Sequence, residues 1–248
     1  MNIIISGING HMGNEVAKLA AAGMRGSVLC GGIDTNGPRE SFGVAVKTFA
    51  DADFSDAVLI DFSHHSCTGE LLAYAKKNKM PLVLATTGQT EEELSAIKEA
   101  SKEIPLFFAA NYSVGVTLLI ELAKKVAAVM NDAEIEIIET HHDRKLDSPS
   151  GTALAIARAI QEVRPKAELN MGRSGQAKRT ADEIGISSVR IGNVVGIHEV
   201  LVGTQNETVT LKHEAFSRSV FAEGAIAAAA FLENKGPGLY NMKSMIEV

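Results

Sequence analysis

The segment Glu139-Thr140-His141-His142-Asp143-Arg144-Lys145 gathers six titratable side chains into seven residues. Histidine exchanges a proton near neutral pH. Lysine is a point charge for a carboxylate and can itself act as an acid when its environment favours the neutral form. Shortly after comes Ser148-Pro149-Ser150-Gly151-Thr152. There Ser148 or Ser150 can cap a helix, leaving the N–H groups of Gly151 and Thr152 to an anion. The chemistry implied is binding of a carboxylate beside a proton donor. Taken singly, the residues read as a solvated histidine pair and an ordinary helix start. As one constellation they point to a site.

A second group lies at the other end of the chain. Gly7-Ile8-Asn9-Gly10-His11-Met12-Gly13 follows a short apolar run and precedes a helical pattern. Glycines at such a junction permit a tight turn and let a pyrophosphate approach the N–H groups that open the helix. The spacing is GxxGxxG, a weak signal alone, and its place at the start of a strand–helix unit strengthens it. Asp34 ends the second strand-like run, 21 positions after Gly13. A carboxylate there accepts hydrogen bonds from adenosine ribose hydroxyls and repels a 2′-phosphate, which favours NADH. Thr35 is neutral and Arg39 is nearby in sequence.

These groups need elements to position them. Strand-like runs at Ile3–Ser6, 27–33, 57–61, 81–85 and 106–109 alternate with helical stretches to about 22, at 68–78 and at 90–102. Such alternation predicts an α/β, Rossmann-like parallel sheet. Ligands bind at the carboxyl ends of its strands, which here are Gly7–Gly13, Asp34, Ser63–His65, Thr86–Gly88 and Asn111–Ser113. After residue 112 the pattern changes. A long helix over 114–130, a partly alternating strand over 133–141 and a helix over 150–163 precede strand-like runs at 186–191, 194–202 and 208–213. Strands in series predict a second, α+β domain with an open mixed sheet. A helix over 217–232 returns, and its apolar stretch 225–232 predicts burial. The expected division is 1–112 with 216–248, and 113–215.

Composition narrows the function classes. A net charge of −6, a pI near 5.7 and 5% aromatic residues without Trp argue against nucleic acid as a partner. No apolar run approaches the ~20 residues that a bilayer span needs, and no membrane partner is expected. The amino terminus lacks the pattern of a signal peptide. Cys30 and Cys67 suggest reduced thiols rather than a disulfide scaffold. A cytoplasmic enzyme is the expectation. His64-His65 and His141-His142 raise a metal site, but no Cys/His ligand spacing accompanies them, so no metal is expected.

The run Glu139-x-His141-His142-x-x-Lys145-x-Asp147-x-Pro149-Ser150-Gly151-Thr152 closely resembles the signature of the 4-hydroxy-tetrahydrodipicolinate reductase (dihydrodipicolinate reductase) family. The similarity extends through Gly7-x-x-Gly10-x-Met12-Gly13, Asp61-Phe62-Ser63, Thr86-Thr87-Gly88, the run 109–116, Glu183-Ile184-Gly185, Arg190-x-Gly192 and Gly196-x-His198. The resemblance implies reduction of a small dicarboxylate, 4-hydroxy-tetrahydrodipicolinate, by NADH or NADPH in the diaminopimelate route to lysine. It implies a homotetramer with a nucleotide domain, a substrate and tetramerisation domain, and a last helix folded back onto the first. It implies His141 as acid/base group and Lys145 as a second proton donor. His142, Lys145, Gly151 and Thr152 would hold the dicarboxylate. Gly7, Ile8, Asn9, Gly10, His11, Met12, Asp34, Ala85, Thr86, Thr87, Ala109, Ala110, Asn111 and Tyr112 would contact the cofactor.

Three positions depart from the family's pattern. Ala85 stands where Gly is common, Thr35 where some members are basic, and Tyr112 where Phe is frequent, which predicts a hydroxyl near the cofactor. Rival readings are a related amino-acid or semialdehyde dehydrogenase, which should lack the histidine–lysine run, and a redox sensor that binds NAD(H) without turnover. Arg173, Arg179 and Arg190 suggest either a cationic lid or salt bridges between domains. His64 and His65 either line the cofactor cleft or sit in a solvated loop.

Overall fold

The computed structural model describes residues 1–36 and 40–247; Arg39 lies outside them. The chain divides into two compact units, Met1–Ser113 with Ser219–Val248, and Val114–Arg218.

The first unit begins with β1 (Asn2–Ser6), α1 (His11–Ala21), β2 (Val28–Ile33), β3 (Glu40–Ser41) and β4 (Val44–Lys47). It continues with β5 (Val58–Asp61), α2 (Thr68–Lys77), β6 (Leu82–Leu84), α3 (Glu91–Ala100) and β7 (Pro105–Phe108). The second unit holds α4 (Val114–Val129), β8 (Glu134–His141), α5 (Gly151–Val163), β9 (Glu168–Met171), β10 (Glu183–Arg190), β11 (Gly196–Gly203) and β12 (Thr208–Ala215). The chain then returns with α6 (Ser219–Leu232), β13 (Gly238–Tyr240) and α7 (Met242–Ile246).

The first sheet runs β13-β7-β6-β5-β1-β2-β4-β3 and is parallel except for the β3–β4 pair. Its central strands are short and apolar because both faces are covered. Ile3 and Ile5 pack on one side with α1 and α6; Ile4 and Leu59 pack on the other with α2 and α3. Helix α6 is buried along most of its length, with Ala222, Ala225, Ile226, Ala228, Ala229 and Leu232 all shielded. Thr90 caps α3 through a capping box with Glu93, the arrangement its Thr-x-x-Glu spacing favours.

The second sheet runs β12-β11-β8-β10-β9. Strands β10 and β8 are parallel, as are β10 and β9; β11 is antiparallel to both β8 and β12. It is a mixed sheet, and Ile135, Ile137, Ile184, Ile186, Val200 and Val202 form a core with α4 and α5. Strands β3, β4, β9 and β13 and helix α7 are absent from the sequence-based expectation. Two to five residues are too few for a periodic signal to stand out, and pairing with neighbours defines these strands.

Candidate active site

Strand β8 alternates strictly in burial, with Ile135, Ile137, Glu139 and His141 on its buried face. The apolar core of the second unit therefore gives way, within one strand, to a buried carboxylate and a buried imidazole. Glu139 is 0% exposed. Its Oε2 lies 2.5 Å from His141 Nδ1. Arg190 donates to both carboxylate oxygens, NH1 to Oε2 at 2.9 Å and NH2 to Oε1 at 2.8 Å. The Ser150 N–H donates to Oε1 at 3.1 Å. Burial pushes the Glu139 carboxyl up, but hydrogen bonds from Arg190, Ser188 and His141 outweigh it and hold the group at about 2.

The sheet brings these residues together. Arg190 is the register partner of His141 on parallel β10, and His198 that of Glu139 on antiparallel β11. His198 stands edge-on to His141, ring centroids 5.1 Å apart, with Nε2 3.1 Å from Ser150 Oγ. Ser150 caps α5 by accepting from the Ala153 N–H, so it, rather than Ser148, is the cap. Gly151 and Thr152 form the first turn.

Beyond β8 the loop carries cations. Lys145 Nζ is 2.8 Å from Asp147 Oδ1. Arg144 reaches Asp143 and Asn193. The His142 ring is 3.3 Å from Arg218 through Nε2. Desolvation, then Arg144 and Arg218, pushes the His142 imidazole down. From the sequence alone His198 and Arg218 have no site role, and Glu139 stands only as one member of the segment 139–145. Arg218 lies 76 positions from His142, and no local pattern links them. Arg173 pairs with Glu183 and Glu136, Arg179 with Glu136 and Glu134, and Arg190 with Glu139, all inside the second unit.

In the first unit the strand ends enclose two adjoining cavities. One, of 690 Å³, is lined by Gly10, His11, Met12, Ala85, Thr86, Thr87, Ala110, Asn111 and Tyr112, with Phe62, Ser63, His64 and Phe221. The other, of 210 Å³, includes Gly7, Gly10, Asp34, Asn36, Phe49 and Cys67. Ile8, Asn9 and Ala109 line neither. The Ile8 side chain is fully buried in the core, and the Asn9 N–H donates to Asp34 Oδ2 at 3.1 Å. Asp34 Oδ1 accepts from the N–H and the side-chain amide of Asn36. His64 faces both cavities, whereas His65 turns to Glu93, 3.1 Å away.

Gly7 has φ +76°, and a Cβ there would come within 2.6 Å of the Phe62 carbonyl oxygen. A Cβ on Gly13 would collide with the Gly7 carbonyl. The loop thus folds tightly against the end of β5, and α1 starts at Gly10 with no side chain capping it. Asp61, buried at the end of β5, accepts from Ser63 Oγ and Thr86 Oγ1, each at 2.6 Å. It joins two of the loops that line the larger cavity. The Tyr112 hydroxyl is not offered to the cavity. It donates to the Leu84 carbonyl at 2.8 Å, inside the core, because an unpaired hydroxyl is costly there.

Both halves of the chain match models of one family. Residues 1–112 match the dihydrodipicolinate reductase N-terminus, and residues 115–246 match the dihydrodipicolinate reductase C-terminus. The chain belongs to the dihydrodipicolinate reductase family. It is 46% identical to a 4-hydroxy-tetrahydrodipicolinate reductase of Caldanaerobacter subterraneus subsp. tengcongensis, over 100% of this chain and 98% of the relative. It is 39% identical to one from Clostridium perfringens strain 13, over 100% and 99% of the two chains. Its fold matches that of a dipicolinate-bound dihydrodipicolinate reductase from Paenisporosarcina sp. TG-14, with a TM-score of 0.82 and 25% identity over 99% of each chain. The first unit accordingly has a nucleotide-binding fold. Among the described residues no helix is long and apolar enough to cross a membrane.

Proposed function

We propose that this chain reduces 4-hydroxy-tetrahydrodipicolinate, by way of dihydrodipicolinate, to tetrahydrodipicolinate with NADH or NADPH. The observation that carries the reading is His141, paired at Nδ1 with the buried Glu139, in one loop with Lys145 and the start of α5. Family membership and the names of its full-length relatives support it.

The cavities fit a dinucleotide. The tight glycine loop and the uncapped start of α1 suit a pyrophosphate. Bound nicotinamide dinucleotide supplies the hydride. This chain's residues do the rest. Loss of water from the substrate leaves a conjugated imine, and hydride addition leaves an enamine. His141 delivers the proton that the enamine takes up, with Lys145 as the second donor. His142, Lys145 and the first turn of α5 at Gly151 and Thr152 hold the two carboxylates. The positive charge of Lys145 and the N–H dipoles at the start of α5 also stabilise the negative charge that develops as the hydride adds. The Asp34 carboxylate favours the unphosphorylated ribose of NADH.

A coupled assay tests this. A dihydrodipicolinate synthase generates the substrate in place, and oxidation of NADH and of NADPH is followed separately. Substrate-dependent oxidation is expected, with the higher kcat/KM for NADH. His141→Ala and Lys145→Ala should each lower kcat about 10²–10⁴-fold. Cofactor binding without turnover would leave the redox-sensor reading instead.

A further inference from the structure

We propose that Glu139 is the positioning residue of the proton-transfer site, one buried carboxylate that sets the hydrogen pattern of His141 and ties it to the start of α5. The proposal rests on the reading above, in which His141 delivers the proton and α5 holds a carboxylate.

The argument is one of donors and acceptors. His141 Nδ1, both Arg190 terminal nitrogens and the Ser150 N–H converge on the carboxylate, with the Ser188 hydroxyl beside them. The arginine and backbone nitrogens can only donate, and an ionised carboxylate can only accept. His141 Nδ1, 2.5 Å from Oε2, must therefore carry hydrogen. That assignment leaves Nε2 as the nitrogen that gains and loses a proton. Nε2 faces Gly196, where even a Cβ would stand only 3.0 Å away. When the ring is loaded with a proton both nitrogens carry hydrogen, and Glu139 is the acceptor that the inner one requires. The second oxygen reaches a different part of the site. Oε1 accepts the N–H of Ser150, the residue whose hydroxyl caps α5. One rigid group thus relates the proton donor to the helix start, and Arg190 fixes it with a two-pronged grip.

An amide in place of the carboxylate cannot serve both sides. In Glu139→Gln the oxygen should stay toward the Ser150 N–H and Arg190 NH2, at the loss of the bond from Arg190 NH1, because a backbone N–H cannot change its proton and an imidazole can. The NH2 group then faces His141 Nδ1. The ring must present a bare Nδ1, and its doubly protonated form loses its inner acceptor.

The test is ¹⁵N NMR of His141 together with steady-state kinetics. In the folded wild-type protein Nδ1 should carry hydrogen, bonded to Glu139. A bare Nδ1 in the wild type would overturn the proposal with no variant needed, and it decides the matter even if Glu139→Gln does not fold. In folded Glu139→Gln, Nδ1 should lose its proton and kcat should fall about 10²-fold or more, while KM changes only a few-fold. A residue that merely packs would leave the tautomer as it was. Wild-type kcat, or an unchanged tautomer, would also overturn it. Failure of the proposed reaction is distinguishable, because a wild type inactive in the coupled assay would still report its His141 tautomer.

Discussion

Replacing His198 by Gln should remove an acid-sensitive share of stability that the wild-type chain carries. The ring is 4% exposed on β11. Burial first, then the neighbouring His141, pushes its imidazole down from 6.5 to about 4. The cause is visible at the inner nitrogen. Nδ1 is buried with no hydrogen-bond partner among the described residues, so the charged ring, which carries hydrogen on both nitrogens, would hold a buried N–H without an acceptor. The unfolded chain takes up that proton near pH 6.5, and the folded chain only near pH 4. Unfolding is therefore coupled to proton uptake between those values. The contribution is complete above pH 6.5 and is lost as the pH falls through 4. The separation corresponds to about 3 kcal/mol, most of it gone by the lower value. Gln reaches about as far as Nε2, can hydrogen-bond Ser150 Oγ and does not titrate. Glu139, His213 and Lys145, which also act on the ring, remain in the variant, so the difference between the two proteins isolates His198. Urea unfolding followed by circular dichroism, at one protein concentration and from neutral pH down to pH 4, gives that difference. The wild type should lose about 3 kcal/mol more than the variant over this range. Parallel curves would refute the reasoning and leave the His198 ring with no penalty for its proton.

Two glycines give further tests. Gly196→Ala places a methyl 3.0 Å from His141 Nε2 and 3.7 Å from His198 Cε1. The His141 ring is held from behind by Glu139 and must shift, so kcat should fall roughly 10-fold with the fold retained; full turnover in the coupled assay would contradict proton delivery from Nε2. Gly224→Ala, in the middle of α6, should destabilise although Ala is the better helix former by about 1 kcal/mol. Its methyl would land on the Tyr112 carbonyl oxygen, and forced overpacking of this kind costs about 1–3 kcal/mol or more. A raised Tm for this variant would show that the helix moves aside freely.

The local devices of the site were legible in the sequence. Gly7, Gly10 and Gly13 mark a tight strand-to-helix turn, Ser150 marks a helix start, and the histidine–lysine run marks the place proposed for proton and carboxylate chemistry. Each of these signals is carried by residues close together in the chain. Alternation of strands and helices gave the class of the first sheet, and strands in series that of the second, for the same reason. Short strands such as β4 and β9 were not legible, because pairing creates them and periodicity does not.

What turns the local devices into a site was decided by the tertiary structure. In the sequence Glu139 was one titratable residue of the segment 139–145, with no role of its own. It becomes the centre of the site because parallel β10 brings Arg190 from 51 positions away and the turn after β8 brings back the N–H of Ser150. The cavity of the nucleotide-binding unit is completed by Phe221 of α6, from a segment that returns only after the whole second unit. The Tyr112 hydroxyl, expected near the cofactor, turns inward to Leu84 because a carbonyl in the core awaits it. Sequence spacing determines what a segment offers its neighbours. Sheet order and register determine which neighbours those are, and a buried carboxylate has its charge and its purpose only through them.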